Sequence, residues 1–196
     1  MILNTKHALA VSFATMTAFA SVNALALDID SEYSQVSLVS TKVLADGTQS
    51  VAEVFTFDSL SGSVGDDGAA SIAIDLASIS TGVDIRNERM GEFFFETSKY
   101  PEATITAQIP DDAFANGSRT MDIDVSVNMH GSDSEYSVPV HISSDDAGVT
   151  VVATKPVLVD ATSFELSGGL AKLGELAGLL HIPATVPVSF NLAFTK

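Results

Sequence analysis

Apolar and polar positions alternate along most of the chain with a period of two, the pattern of strands that turn one face to a core and the other to water. The clearest run is 121–129, where Met121, Ile123, Val125, Val127 and Met129 interleave with Asp122, Asp124, Ser126 and Asn128. A helix would scatter those two sets around its circumference. Tyr136, Val138, Val140 and Ile142 repeat the pattern against Glu135, Ser137, Pro139 and His141, and the polar stretch 130–133 between the two runs predicts an antiparallel hairpin. Near the end of the sequence Val186, Val188, Phe190, Leu192 and Phe194 share one face. Pro187, which cannot donate a ladder hydrogen bond, marks an edge or the start of that strand. Further strands are predicted at 34–40, 50–58, 70–76, 103–109 and 149–154, separated by turn-forming stretches such as Gly65-Asp66-Asp67-Gly68, Asn116-Gly117 and Asp145-Asp146-Ala147-Gly148. Two segments break the alternation. Residues 84–95 have helical character, and 170–180 set Leu170, Leu173, Leu176, Ala177 and Leu180 on one helical face. About eight strands at this spacing make a single all-β domain, a sandwich or a barrel. An eight-stranded barrel is just wide enough to be filled by its own side chains or to hold one small ligand.

The first 26 residues follow another pattern. Residues 1–7 carry one lysine and no acid, 8–20 form an apolar run well short of the ~20 residues that cross a bilayer, and Ala24-Leu25-Ala26 fits small-x-small cleavage. We expect 1–26 to be a signal peptide and 27–196 to be the folded domain, exported to the periplasm or secreted beyond it. No later segment reads as a membrane span. This division also accounts for the composition: 46% hydrophobic residues and a mean hydropathy of +0.31 stand beside a net charge of −16. The leader holds part of the apolar excess and none of the 25 acids, so residues 27–196 carry eight bases and a formal charge of −17.

Charge and composition exclude several chemistries. Nine basic against 25 acidic residues would repel nucleic acid, and the absence of cysteine removes disulfides, thiolate metal sites and a thiol nucleophile. His130, His141 and His181 form no His-x-His or His-x-x-x-His pair, and the paired acids in turns do not fit a calcium-binding loop, so no metal is expected. Ser61-Gly62-Ser63 and Ser167-Gly168-Gly169 lack the spacing of a nucleophile elbow.

The most distinctive stretch is Ile74-Asp75-Leu76-Ala77-Ser78-Ile79-Ser80-Thr81-Gly82, followed by Arg86, Met90, Phe94-Phe95 and Lys99-Tyr100-Pro101. It resembles the YceI-like family of exported, lipocalin-like proteins that bind polyisoprenoid lipids. There a strand ending in a similar run leads to a short helix with an arginine, then Phe-Phe, then Lys-Tyr-Pro before the next strand. The resemblance is strongest over 70–106 and extends to Asp30 to Ser34, Phe57 to Gly62 and His130-Gly131. The chain reads as a divergent member: Tyr33 stands where the family commonly has His, and Arg86-Asn87-Glu88-Arg89-Met90 replaces Arg-Asp-x-His-Leu. The resemblance implies an eight-stranded antiparallel lipocalin-like barrel with one or two short helices and a lipid cavity.

On that reading the inward-facing Leu38, Phe55, Phe57, Ile72, Ile74, Ile105, Val127 and Met129 line the cavity, with Met90, Phe94, Phe95 and the Leu173-Leu176 face towards its opening. The same residues would serve equally as a solid core. Arg86 and Arg89 could meet a carboxylate, phosphate or quinone oxygen at the mouth, or neutralise Asp84, Glu88 or Glu92 beside them. Tyr33 and His130 complete the candidate polar mouth. No catalytic residues and no cofactor are expected; the ligand would be a polyisoprenoid, a quinone or a fatty-acid-like lipid. Two other readings stay open, a structural or partner-binding barrel with a filled core, and an enzyme acting on a lipid with Tyr33, Arg86 or His130 handling protons. The sequence also leaves open whether two copies pair as a homodimer.

Overall fold

The computed structural model describes residues 26–195; the expected leader, apart from Ala26, lies outside the described residues. Thirteen strands are present among them: β1 (Leu27–Ile29), β2 (Gln35–Leu44), β3 (Ser50–Phe57), β4 (Leu60–Val64), β5 (Ala69–Asp75), β6 (Ile79–Ser80), β7 (Glu102–Gln108), β8 (Gly117–Met129), β9 (Ser132–Ser144), β10 (Val149–Ala153), β11 (Val157–Asp160), β12 (Leu179–His181) and β13 (Thr185–Thr195). Helix α1 (Asp84–Arg89) continues into a π-helical turn (Met90–Phe94), and α2 (Ser167–Ala177) precedes β12.

The thirteen segments form eight strand lines, because β1/β2, β3/β4, β5/β6, β10/β11 and β12/β13 are each one line broken by a kink. All pairings are antiparallel, and the sheet closes on itself. One edge of β13 takes β10 and β11; its other edge takes β2, from Val188↔Leu38 to Asn191↔Gln35, and then β1, with Ile29↔Phe194. Between β1 and β2 the chain bulges away from β13. There the Ser34 hydroxyl stands in for the ladder, accepting from the Ala193 N–H at 2.9 Å and donating to the Ala193 carbonyl at 3.2 Å. The molecule is an eight-stranded antiparallel barrel with two short α-helices, the architecture expected from the sequence.

The hairpin expected around 130–133 is tighter than its polar stretch suggests. Met129 pairs with Ser132, leaving His130 and Gly131 as a two-residue turn with φ of +54° and +80°. Positive φ at both positions matches the right-handed twist of the flanking strands. Pro187 is the third residue of β13, opposite Leu158; pairing with β2 begins only at Val188, so the missing N–H falls near the start of the strand. The second helix is displaced from 170–180. Gly178, at φ +63°, ends it after Ala177 and sends Leu179 and Leu180 into β12, where Leu180 is exposed instead of facing the core. Its start at Ser167 was hidden by Gly168 and Gly169, both poor helix formers.

The registers define two ends. The 64–69 and 144–149 connections and both termini of the described chain lie at one end, crossed by the loop 109–116. The turns at 44–50 and 130–131 and the longer segments 76–101 and 161–184 lie at the other.

Candidate functional site

Inside the barrel is a cavity of about 280 Å³, near the lower limit of the ~300–1,000 Å³ common for ligand pockets. Its floor is formed by Ile109, Phe114 and Phe194, and the Ser144 hydroxyl fixes the floor loop by donating to the Phe114 carbonyl at 2.9 Å. Its walls are the inward sets of the strands, and among the lining residues only Ser40 and Tyr136 bring polar side-chain atoms. Burial pushes the Tyr136 phenol above its ordinary pKa, against a lowering contribution from Ser134 and with a small further push from the Asp160 carboxylate. The phenol is therefore neutral at physiological pH.

The roof is built from two segments that meet. In the π-helical turn the Phe95 N–H donates to the Met90 carbonyl five residues back, at 2.9 Å. This extra residue in the turn lets the consecutive Phe94 and Phe95 both reach the cavity, their rings edge to face at 4.7 Å, with Phe57 6.1 Å from Phe95. Leu166 and Leu170, at the start of α2, cover the rest. Gly169 makes the junction possible: a Cβ there would lie 2.6 Å from the Phe93 carbonyl oxygen and 2.8 Å from the Phe94 Cα.

The apolar residues expected at the cavity, Leu38, Phe55, Phe57, Ile72, Ile74, Met90, Phe94, Phe95, Ile105, Val127 and Met129, all line it. Leu173 packs on the core but does not reach the cavity, and Leu176 is outside the lining as well; because α2 starts three residues earlier than expected, Leu166 and Leu170 take that place. Sequence reasoning also passed over the β9 and β13 walls, Val138, Val140, Val188 and Phe190 among them, although the same alternation marks them.

The four polar candidates do not converge. Tyr33 sits in the bulge before β2 and is 66% exposed. His130 packs against Tyr100, ring centroids 4.2 Å apart and planes tilted by 49°, with Nε2 3.5 Å from a Glu96 carboxylate oxygen and neither ring nitrogen in hydrogen-bond geometry. Arg89 is partly buried on α1. Arg86 stands against a lining side chain, its guanidinium carbon 4.8 Å above the centre of the Phe55 ring.

Arg86 is tied down at both ends of its fork. Nη2 donates to the Thr81 carbonyl at 2.5 Å, and Nη1 donates to Glu53 Oε2 at 2.8 Å. The same Glu53 oxygen accepts from Lys42 Nζ at 2.7 Å, so the acid that neutralises Arg86 comes from β3 and not from Asp84, Glu88 or Glu92 on its own segment. The Lys42 hydrogen bond, with help from Arg86, holds the Glu53 carboxyl below its ordinary pKa despite partial burial. Thr81 is secured in turn by Asn87, whose Oδ1 accepts from the Thr81 N–H at 3.0 Å and from its hydroxyl at 2.6 Å. The Thr-Gly and Arg-Asn pairs of the sequence are thus two halves of one clasp that seats α1 against β3.

Among the described residues, no three His, Asp or Glu side chains are grouped to hold a metal, and no helix is long and apolar enough to cross a membrane. No curated protein matches the chain. Solved structures do: a polyisoprenoid-binding domain from Saccharophagus degradans implicated in plant cell wall breakdown is 32% identical, with a TM-score of 0.81 over 87% of this chain and 98% of that one. BcnA of Burkholderia cenocepacia, at 20% identity, shares the fold, with a TM-score of 0.64 over 85% of this chain and 99% of that one. The YceI-like domain matches residues 27–194, nearly everything that closes the barrel, and by that match the chain belongs to the YceI-like family.

Proposed function

We propose that the protein is exported and binds an isoprenoid-like amphiphilic lipid, holding the chain inside the barrel without catalysing its conversion. The observation that carries this reading is the cavity itself, apolar from floor to roof and running between the two ends of the barrel. Burial of hydrocarbon contributes roughly 0.8 kcal/mol per CH₂ and needs no directional contact, which is the recognition such walls offer. A core filled by its own side chains would leave no such space. The likeness to the polyisoprenoid-binding domain of Saccharophagus degradans supports an isoprenoid chain as the occupant. Binding without catalysis is supported by the interior chemistry, since Ser40 and Tyr136 have no histidine or carboxylate among the lining residues to activate them. Export is supported by residues 1–26, and the charge of −17 over 27–196 favours a protein that stays free of anionic bilayers.

Native mass spectrometry of protein purified from its own host, followed by lipid extraction, tests the reading. A bound chain of defined mass, absent after delipidation and regained on incubation with a prenyl lipid, is the expected result. Protein that is ligand-free from the host and takes up no prenyl lipid would overturn it. The same spectrum reads the leader: the exported form is expected to begin at Leu27.

A further inference from the structure

The inward face of the β2–β3 hairpin changes character in one step. Val36↔Phe57 and Leu38↔Phe55 are apolar pairs in the cavity wall, and the next two pairs are Ser40↔Glu53 and Lys42↔Val51. Ser40 still lines the cavity, whereas Lys42 and Glu53 stand beyond it and are joined there by Arg86 from α1. The cavity wall therefore runs directly into a cluster of two cations and one anion.

The donors of this cluster are not exhausted. Glu53 Oε2 receives one N–H from Lys42 and one from Arg86, and the Thr81 carbonyl receives another from Arg86. Lys42 retains two of its three donors, and Arg86 retains three of five. One of the latter, the Arg86 Nε–H, is shut off from water with no partner. A buried N–H left unpaired is destabilising, so an acceptor delivered to it gains more than one delivered to a hydrated group.

The charge count narrows the acceptor. The cluster carries a formal +1 in a domain of −17, and Lys42 and Arg86 are two of its eight bases. An anionic headgroup has few other places on this surface to go. A monoanion neutralises +1, while a dianion leaves an excess of negative charge beside Glu53.

We infer that Lys42, Glu53 and Arg86 form the headgroup site of the cavity and select an amphiphile ending in a carboxylate. This rests on the lipid-binding reading and goes further in naming the headgroup and its residues. Lys42 and Arg86 supply the hydrogen bonds; Glu53 holds the two cations together and competes with the incoming carboxylate.

The two side chains of the Lys42–Glu53 pair must then act in opposite directions, which a merely structural salt bridge would not do. Three probes share one chain and differ in headgroup: farnesol, farnesoic acid and farnesyl monophosphate. Delipidated protein of residues 27–196 is expected to bind farnesoate more tightly than either of the others at neutral pH. Lys42→Met is expected to weaken farnesoate by about tenfold, the scale of one charge-assisted hydrogen bond, with farnesol unchanged. Glu53→Gln removes the competing charge and is expected to strengthen farnesoate, again with farnesol unchanged; circular dichroism verifies that both variants fold. Equal binding of farnesol and farnesoate, tighter binding of the phosphate, or loss of farnesoate in both variants would overturn the headgroup assignment while leaving the carrier reading in place. Failure of all three probes to bind would overturn both.

Discussion

Glu53 is the residue on which the rim depends, because one of its oxygens serves both Lys42 and Arg86. Its carboxyl is held below the ordinary range, so its contribution to stability is complete above the pKa it has in the unfolded chain and is lost as pH falls through the lower folded value. In urea unfolding, the stability advantage of wild type over Glu53→Gln is expected to be small at neutral pH, the group being about a third exposed, and to vanish on acidification through the carboxylate range. An advantage that grows with acid would contradict the pairing. None of this was legible from the sequence. Arg86 was visible through its place after Thr81-Gly82, but its partner lies 33 positions earlier on strand β3, and local spacing offered Asp84, Glu88 and Glu92 instead. His130 illustrates the converse: the sequence singles it out, and the structure places it in a turn, tilted against the Tyr100 ring.

At the scale of elements, strands were far easier to read than the roof. Period two survives in every wall because each strand has one wet face, and even the kinked lines keep their phase within each segment. The roof obeys no single period. A π-helical turn shifts the phase between α1 and Phe94-Phe95, and α2 opens on Gly168-Gly169, which propensity alone assigns to a loop. The reason for a glycine there appears only in three dimensions, where α2 meets the π-helical turn backbone to backbone. Gly169→Ala is accordingly expected to push α2 off that turn even though alanine favours helix by about 1 kcal/mol. Hydrogen exchange would report it as faster exchange of amides in 167–177 and 90–95, with β8 and β9 unchanged. Slower exchange in α2 would mean that the contact yields at no cost.

For the whole molecule, the closed sheet and the interior space make separable claims. Small residues on facing wall positions, Ala70 and Ala107 paired across β5 and β7, leave room that larger ones would occupy. Ala107→Phe is expected to fill part of the cavity and reduce prenyl-lipid uptake by at least tenfold, with a stability change within about 1–3 kcal/mol, the usual range for an overpacked core. Uptake that persists undiminished would place the lipid elsewhere.

Closure has one more consequence. β1 and the end of β13 are hydrogen-bonded neighbours, Asp28 opposite Thr195, at the floor, while the mouth is built entirely from internal connections. The order in which the strands are strung is therefore separable from the shape they make. A circular permutant that joins 195 to 27 through a short glycine linker and begins instead at the exposed 45–49 turn is expected to fold to the same barrel. It would carry its new ends at the rim beside Lys42, so that a fluorophore attached there reports on the mouth directly.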